Sequence, residues 1–339
     1  MPCLALRHEM RSFFHSFLAT QPSERLPIPF LMTHSATPYR IQRVYFIGLG
    51  AIGLKYAARL HDLDPSLVTV IASAARIAAL RAIPPTVNGK RYDFKFVEPG
   101  QAAPPADLIF VAVKAGQLPQ AIDDLRGFVG PDTCVVSLMN GISSEEQIGA
   151  AIGPEHVLYA NVYMDAVRSG NAVTYHDIGR IVFGEKDNSI RCARVDAIEA
   201  LFQRAGIPCV VPADMMRAHW AKFMLNAGIN QASAVLRAPY GTFQVNPHAR
   251  ALMIAAAEEV VTLSRHAGIG LGPEDIQNFV RIMDSLTPTA KTSMLQDIEA
   301  GRPTEVDLFA GTIIELGQRY GVATPVNQTL YQIIKAMEA

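Results

Sequence analysis

The feature that most constrains this chain is a short apolar run followed without a break by three spaced glycines. Arg43-Val44-Tyr45-Phe46-Ile47 reads as a buried strand, Gly48-Leu49-Gly50-Ala51-Ile52-Gly53 follows at once, and residues 54–61 repeat with helical spacing. A lone G-x-G-x-x-G says little. One that follows a strand, opens a helix and begins a βαβ unit points to a dinucleotide-binding turn. Gly48 permits the tight turn, Gly50 lets backbone approach a pyrophosphate, and Gly53 lets helix and strand pack closely. Leu49, Ala51 and Ile52 supply further N–H groups at the positive end of the helix, where phosphates bind. The plainer alternative is a glycine turn that holds no ligand.

The rest of the first half extends this pattern. Strands are expected over residues 67–72, 108–113 and 133–138, and helices over 74–82 and 118–128. Residues 86–97 alternate around Asn88-Gly89, a hairpin signal. Strands alternating with helices imply a parallel sheet covered on both faces. Residues 157–167, 172–175 and 180–184 read as strands expected to extend that sheet antiparallel at one edge. A helix over 191–205 and a short strand over 208–211 follow. Beyond Asp214 the spacing is helical almost throughout: about 214–236, 247–267, 273–284, 290–299, 304–320 and 325–338. The expected fold is α/β, with a Rossmann-type dinucleotide-binding domain over 41–210 and an all-helical substrate and catalytic domain over 211–339. Ligands of such sheets sit at the carboxyl ends of the strands, so a cleft between the two parts is the expected site. Residues 1–40 lack clear periodicity and read as a leader, disordered or the product of an upstream start, with Met32 a natural beginning; a transit peptide is the alternative.

Of 339 residues, 50% are hydrophobic and 18% charged, with net charge −1, which gives no global pull toward nucleic acid or anionic membrane. No apolar run approaches the roughly 18–20 residues of a membrane span. Cys3, Cys134, Cys192 and Cys209 are scattered and lack metal-ligand spacing, so they read as reduced thiols of a cytoplasmic protein with no bound metal. The nine histidines contain no H-x-x-x-H pair, and no Ser-His-Asp motif stands out.

In the helical half, His219-Trp220-Ala221-Lys222-Phe223-Met224-Leu225-Asn226-Ala227-Gly228-Ile229-Asn230 places one cation and two amides at i, i+4 and i+8. Each four-residue step on a helix drifts by only about 40°, so Lys222, Asn226 and Asn230 form one polar stripe through an apolar stretch. An unpaired buried polar group costs about 1–3 kcal/mol, so something polar should face it. An ammonium beside a ketone stabilises the oxyanion left by hydride arrival and can donate the proton. Lysine ionises near 10 in the absence of perturbation, so Lys222 is expected to be charged at neutral pH. A lysine snorkelling from an amphipathic helix and an interhelical asparagine hydrogen bond are the plainer readings.

Cofactor choice is read at the end of the second strand, where a carboxylate would bind a ribose 2′-hydroxyl. Here Ala72-Ser73-Ala74-Ala75-Arg76 carries no acid, and Ser73 and Arg76 could hold a 2′-phosphate, which favours NADP(H). Lys114, closing the strand over 108–113, is a second basic candidate on the cofactor side. Asn140-Gly141 reads first as a turn at a strand's carboxyl end. Glu305 is placed in the first turn of a helix, where an acid suits the helix dipole. Ser293-x-x-Gln296 fits a capping box, and Asp297 reads as a solvated helix residue.

These stretches together resemble the ketopantoate reductase (2-dehydropantoate 2-reductase) family from Arg43 to the C-terminus. The match is carried by Gly48–Gly53, Val113-Lys114-Ala115, Asn140-Gly141, Trp220-x-Lys222 with Asn226 and Asn230, Ser293-Met294-Leu295-Gln296-Asp297 and Thr304-Glu305-Val306-Asp307. The resemblance implies NADPH-dependent reduction of the 2-keto group of ketopantoate to pantoate, for pantothenate and coenzyme A synthesis. It further implies Lys222 as the catalytic lysine, Glu305 as a substrate-positioning partner, and Asn226, Asn230 and Ser293 as substrate-binding residues. Asn140 falls near the nicotinamide and Lys114 on the cofactor side. One departure is Ser73, where the family often has arginine; Arg76, one turn on, could substitute. Two alternatives stay open: a related reductase of another 2-keto acid, and a non-catalytic NADP(H)-binding sensor. The apolar helical half could also support a homodimer.

Overall fold

The computed structural model describes residues 39–164 and 166–338. The leader expected over residues 1–40 therefore lies, for 1–38, outside the described residues. The run before the glycine turn is β1 (Val44–Ile47), buried at every position, and α1 (Ala51–Leu63) follows it. Then come β2 (Val68–Ile71), α2 (Ala74–Ala82), three short strands β3 (Thr86–Val87), β4 (Lys90–Arg91) and β5 (Lys95–Val97), β6 (Leu108–Val111), α3 (Leu118–Leu125), β7 (Cys134–Ser137) and α4 (Ser144–Ile152). β8 (Val157–Tyr163), β9 (Val167–Ser169), β10 (Ala172–Thr174), β11 (Arg180–Gly184), α5 (Ala193–Arg204) and β12 (Cys209–Val210) complete this half.

The main sheet has the order β12-β11-β8-β7-β6-β1-β2-β5. β1 pairs in parallel with β2 on one side and β6 on the other. Chain order thus reverses at β1, and the carboxyl ends of β1 and β6 open the crevice where ligands of such sheets bind. Both faces are buried, as the side-chain period of two requires. Val44, Phe46, Leu108 and Phe110 pack with Tyr56, Leu60, Ile198 and Phe202 on one face. Tyr45, Ile47, Ile109 and Val111 pack with Leu118, Ile122, Leu125 and Phe128 on the other.

The second half is helical: α6 (Met215–Leu236), α7 (Tyr240–Val245), α8 (Pro247–His266), α9 (Pro273–Ser285), α10 (Ser293–Glu299), α11 (Thr312–Tyr320) and α12 (Pro325–Met337). α6 begins where Asp214 caps the Arg217 N–H at 2.8 Å, and ends at Arg237 in the left-handed region. Its core partners include Phe243, Met253, Phe279, Phe309 and Ile334, and each such fully buried side chain contributes about 1.5–3 kcal/mol. Tyr159, Val182, Met215 and Ala218 form a small apolar joint between sheet and helices. Asn161 Nδ2 donates to Ala218 O across it at 3.0 Å.

Several expected elements come out differently. β8 is parallel to β7, and only the β11–β12 edge runs against the rest of the sheet. β9 and β10 do not extend the main sheet. They join the β3–β4 hairpin in a separate sheet of order β4-β3-β10-β9. Of the run over 86–97, only β3 and β4 form the hairpin, turning at Asn88 and Gly89 with positive φ, while β5 leaves to pair with β2. Alternation reports which side chains share a face but not which strand is the neighbour. Helices α4 and α7 were not anticipated. α10 starts at Ser293, not 290, because Thr292 is the cap: its hydroxyl accepts from Leu295 N at 3.1 Å. The helix expected from 304 opens as a π turn, Asp307–Gly311, which leaves Glu305 just ahead of it.

Candidate active site

The glycine turn separates packing from ligand access. A Cβ on Gly48 would lie 2.4 Å from Ala112 O, and one on Gly53 2.0 Å from Gly48 O, so both are required by the close approach of β1, α1 and the segment after β6. A Cβ on Gly50 would meet nothing nearer than 3.7 Å. The turn is therefore open over Gly50, and the N-terminus of α1 has no side-chain cap. Open backbone at a helix N-terminus is the cradle that a diphosphate requires. Leu49 is buried beneath the turn, and Ala51 and Ile52 are partly exposed on it.

At the end of β2, Ser73 caps α2 by accepting from Arg76 N at 3.4 Å, and Arg76 Nη2 donates to Asn171 Oδ1 at 3.3 Å. Both side chains are exposed. Lys114, directly after the β6 region, reaches across the cleft: its Nζ is 3.3 Å from Asp297 Oδ2 and 3.6 Å from Glu305 Oε1. Asp297 is 6% exposed and also accepts from Arg302 Nε at 2.8 Å. It is thus a buried ion-pair partner and not the solvated helix residue its sequence context suggests.

Lys222 lies in the first half of α6, 8% exposed. Its Nζ donates to Val162 O at 2.7 Å and to Asn140 Oδ1 at 3.5 Å, and stands 5.3 Å over the Tyr163 ring. Asn140, after β7, in turn donates from Nδ2 to Glu305 Oε2 at 3.2 Å. A chain of contacts thus runs Lys222–Asn140–Glu305–Lys114 between the strand ends and the helices. Burial pushes the Lys222 ammonium down to about 8, against the pull of the Glu305 and Glu145 carboxylates, which favour the charged form. The ordinary lysine value near 10 expected from sequence does not survive this burial. Beneath Lys222, His219 Nδ1 meets Asn161 Oδ1 at 2.9 Å, and its Nε2 lies 3.6 Å from the buried Glu145.

Asn226, half-buried, and Asn230, 7% exposed, continue the stripe along α6. Ser293 is exposed at the start of α10 and is not the cap. The structure thus brings Lys222, Asn140, Glu305 and Lys114 into one network and leaves Ser293 outside it. Sequence reasoning missed three contributors. The Val162 carbonyl is a backbone group with no residue signal, Tyr163 looked like one more strand aromatic, and Asp297 looked solvated. Its place in a helix among Met294, Leu295 and Ile298 was the available clue.

A dinucleotide crevice facing a buried lysine defines the class, an oxidoreductase of the nicotinamide-dinucleotide type. Family models described as ketopantoate reductase PanE/ApbA and its C-terminal region match residues 44–188 and 214–338. The chain belongs to the ketopantoate reductase family. It is 29% identical over 307 residues to a 2-dehydropantoate 2-reductase of Archaeoglobus fulgidus, covering 88% of this chain and 99% of that one. Among solved structures, D-mandelate dehydrogenase with NADH and anilino(oxo)acetate superposes with a TM-score of 0.78 at 23% identity, covering 87% and 98% of the two chains. A dimeric ketopantoate reductase from Staphylococcus aureus gives 0.72 at 24%, covering 87% and 98%. Among the described residues no helix is long and apolar enough to cross a membrane.

Proposed function

We propose that this protein is an NADPH-dependent 2-dehydropantoate 2-reductase that converts the 2-keto group of ketopantoate to the hydroxyl of pantoate, with Lys222 as general acid. The observation that carries this reading is the buried Lys222 ammonium, held by Val162 O and Asn140 at the junction of strand ends and helices. When bound, the reduced nicotinamide supplies the hydride. The open turn Gly48–Gly53 fits the diphosphate of that cofactor, Ser73 and Arg76 at the end of β2 fit its 2′-phosphate, and Lys114 stands on the cofactor side of the lysine network. Lys222 Nζ stabilises the negative charge that develops on the keto oxygen and gives it a proton. Its value of about 8 keeps it mostly charged at neutral pH yet makes it a better proton donor than an exposed lysine. Asn140 accepts from Nζ and is itself held by Glu305, whose carboxylate favours the charged form of Lys222. Asn226 and Asn230 present amides for the substrate carboxylate and hydroxyl. Lys114 ties Asp297 and Glu305 together across the cleft.

A second reading, a reductase of another 2-keto acid, is favoured by one observation. Ser293, the expected substrate-binding hydroxyl, is exposed and outside the Lys222 network. The test is consumption of NADPH, followed by nicotinamide absorbance, with ketopantoate, with 2-ketoisovalerate and without substrate, repeated with NADH. Fast turnover limited to ketopantoate supports the first reading. Equal or faster turnover of 2-ketoisovalerate supports the second, because a site built around the substrate hydroxyl should reject the analogue lacking it. Cofactor binding with no turnover on either acid speaks for a sensor. A homodimer is proposed on the same family grounds, and sedimentation of the purified chain tests it.

A further inference from the structure

Glu305 reaches out of the helical half to touch the sheet half. Its Oε2 accepts from Asn140 Nδ2 at 3.2 Å, and its Oε1 lies 3.6 Å from Lys114 Nζ. A backbone drift of about 0.5 Å at Glu305 would break the first of these as a hydrogen bond. Residues 300–303 ahead of it are exposed, and the π turn Asp307–Gly311 begins two residues after it. The end of the last helix holds this segment. Glu338, which closes α12, accepts from Thr304 N at 2.7 Å and from Thr304 Oγ1 at 2.6 Å through one oxygen, Oε1. The same Thr304 hydroxyl accepts from Val306 N at 3.2 Å, so the residues on both sides of Glu305 are tied. Further back along α12, Tyr331 Oη donates to Asp307 Oδ1 at 2.8 Å, and Lys335 Nζ stands 3.4 Å from Asp307 Oδ2.

A carboxylate that takes a backbone and a side-chain donor from one residue fixes that residue's position and its rotamer together. Lys335 Nζ, 3.3 Å from Glu338 Oε2, engages the second oxygen. Burial opposes the Glu338 charge, but the two Thr304 donors and the Lys335 ammonium outweigh it and hold the carboxyl below the usual glutamate range. Glu338 is therefore an ionised acceptor throughout the range in which Lys222 titrates. We propose that Glu338 is a positioning residue: it latches Thr304 to the end of α12 and so holds the Glu305 carboxylate against Asn140 and Lys114. The inference rests on the reading of Glu305 as the carboxylate that favours the Lys222 ammonium. If Glu338 only fastened α12 to its neighbours, its loss would lower stability and leave the ionisation of Lys222 where it is.

The test is the pH dependence of kcat/KM for NADPH oxidation, with whichever of ketopantoate and 2-ketoisovalerate the wild type reduces. The variants are E338A, E338Q, E305Q and E338A/E305Q, with melting curves alongside. E338A should move the alkaline limb toward acid by about half a unit to one unit, bounded by the shift that loss of the Glu305 charge itself produces. Below about pH 6, where Lys222 stays protonated, its rate should approach the wild type. E338Q keeps an oxygen able to accept from both Thr304 donors and should retain the wild-type limb. The double variant should match E305Q, because two changes acting through one contact do not add. T304V, which removes the hydroxyl from the latch, should shift the limb in the same direction and decides the matter if E338A does not fold. A limb unmoved in E338A, whatever its melting temperature, would leave Glu338 a structural role only and overturn the latch. A limb shifted equally in E338Q, or a double variant showing the sum of the two single shifts, would overturn it as well. A limb unmoved in E305Q would remove the role of Glu305 and the latch with it, whereas one moved in E305Q but not in E338A strikes the latch alone. A wild type without turnover on either acid would remove the reductase reading itself.

Discussion

Replacing Glu305 by Gln isolates the electrostatic part of the proposed mechanism. The substitution keeps an acceptor for Asn140 Nδ2 and removes only the charge. In the native site Glu305 and Lys222 are separated by one side-chain amide, through contacts of 3.2 Å and 3.5 Å. At an effective dielectric of about 20, charges at such a separation interact by roughly 2 kcal/mol. At 1.36 kcal/mol per pH unit this is about one unit or somewhat more. Lys222 ionises at about 8 with burial opposing the charge and Glu305 supporting it, so loss of Glu305 moves the value downward. Keto-acid reduction needs the ammonium, and kcat/KM should fall with an alkaline limb centred near 8 in the wild type. In E305Q that limb should move about one unit toward acid. The variant should be about fivefold slower at pH 8 and close to wild type below about pH 6, as the two protonated fractions require. The assay is initial-rate kinetics with substrate well below KM across pH. A limb that stays near 8, or a loss equal at every pH, would refute the reasoning and make Glu305 a substrate contact alone.

Oxidation of the hydroxy acid, the reverse direction, needs neutral Lys222, so its rate should rise with pH through about 8, and a falling profile would exclude Lys222 as the proton carrier. Lys222→Met should abolish turnover yet raise stability at neutral pH. The folded value lies below the unfolded one, so the unfolded chain binds the extra proton between about pH 8 and 10, and the charged buried lysine is a cost at every pH below that window. The gain should be roughly 1–3 kcal/mol after loss of the Val162 hydrogen bond, read by urea unfolding. Gly53→Ala should destabilise by about 3 kcal/mol or more, since its Cβ would overlap Gly48 O. Gly50→Ala should leave the melting temperature unchanged while weakening NADPH binding about tenfold or more, measured by titration calorimetry. Thr292→Ala should cost about 1–2 kcal/mol, because it removes the α10 cap and the 3.1 Å contact to Ser233 Oγ.

The alternation of strands with helices, the glycine turn after β1 and the helical second half were legible in the residues themselves. Each rests on local periodicity or on a turn geometry that few residues allow. The stripe Lys222–Asn226–Asn230 was legible for the same reason, since helical spacing alone puts these residues on one face. What lay opposite the stripe was not. Val162 O, Asn140 and Glu305 come from segments far apart in sequence, and only the folded chain sets their distances from Lys222. The ionisation of Lys222 near 8 follows from that enclosure, because desolvation depends on everything packed around a group and not on its neighbours in sequence. Strand partners were decided at the same level. The residues marked β9 and β10 as strands, but tertiary packing joined them to β3 through β10, which brings Arg168 close to Gly50. Sequence by itself determined which local structures form and which side chains share a face. The tertiary structure decided which of those faces meet, and therefore which charges are buried, paired or left facing each other.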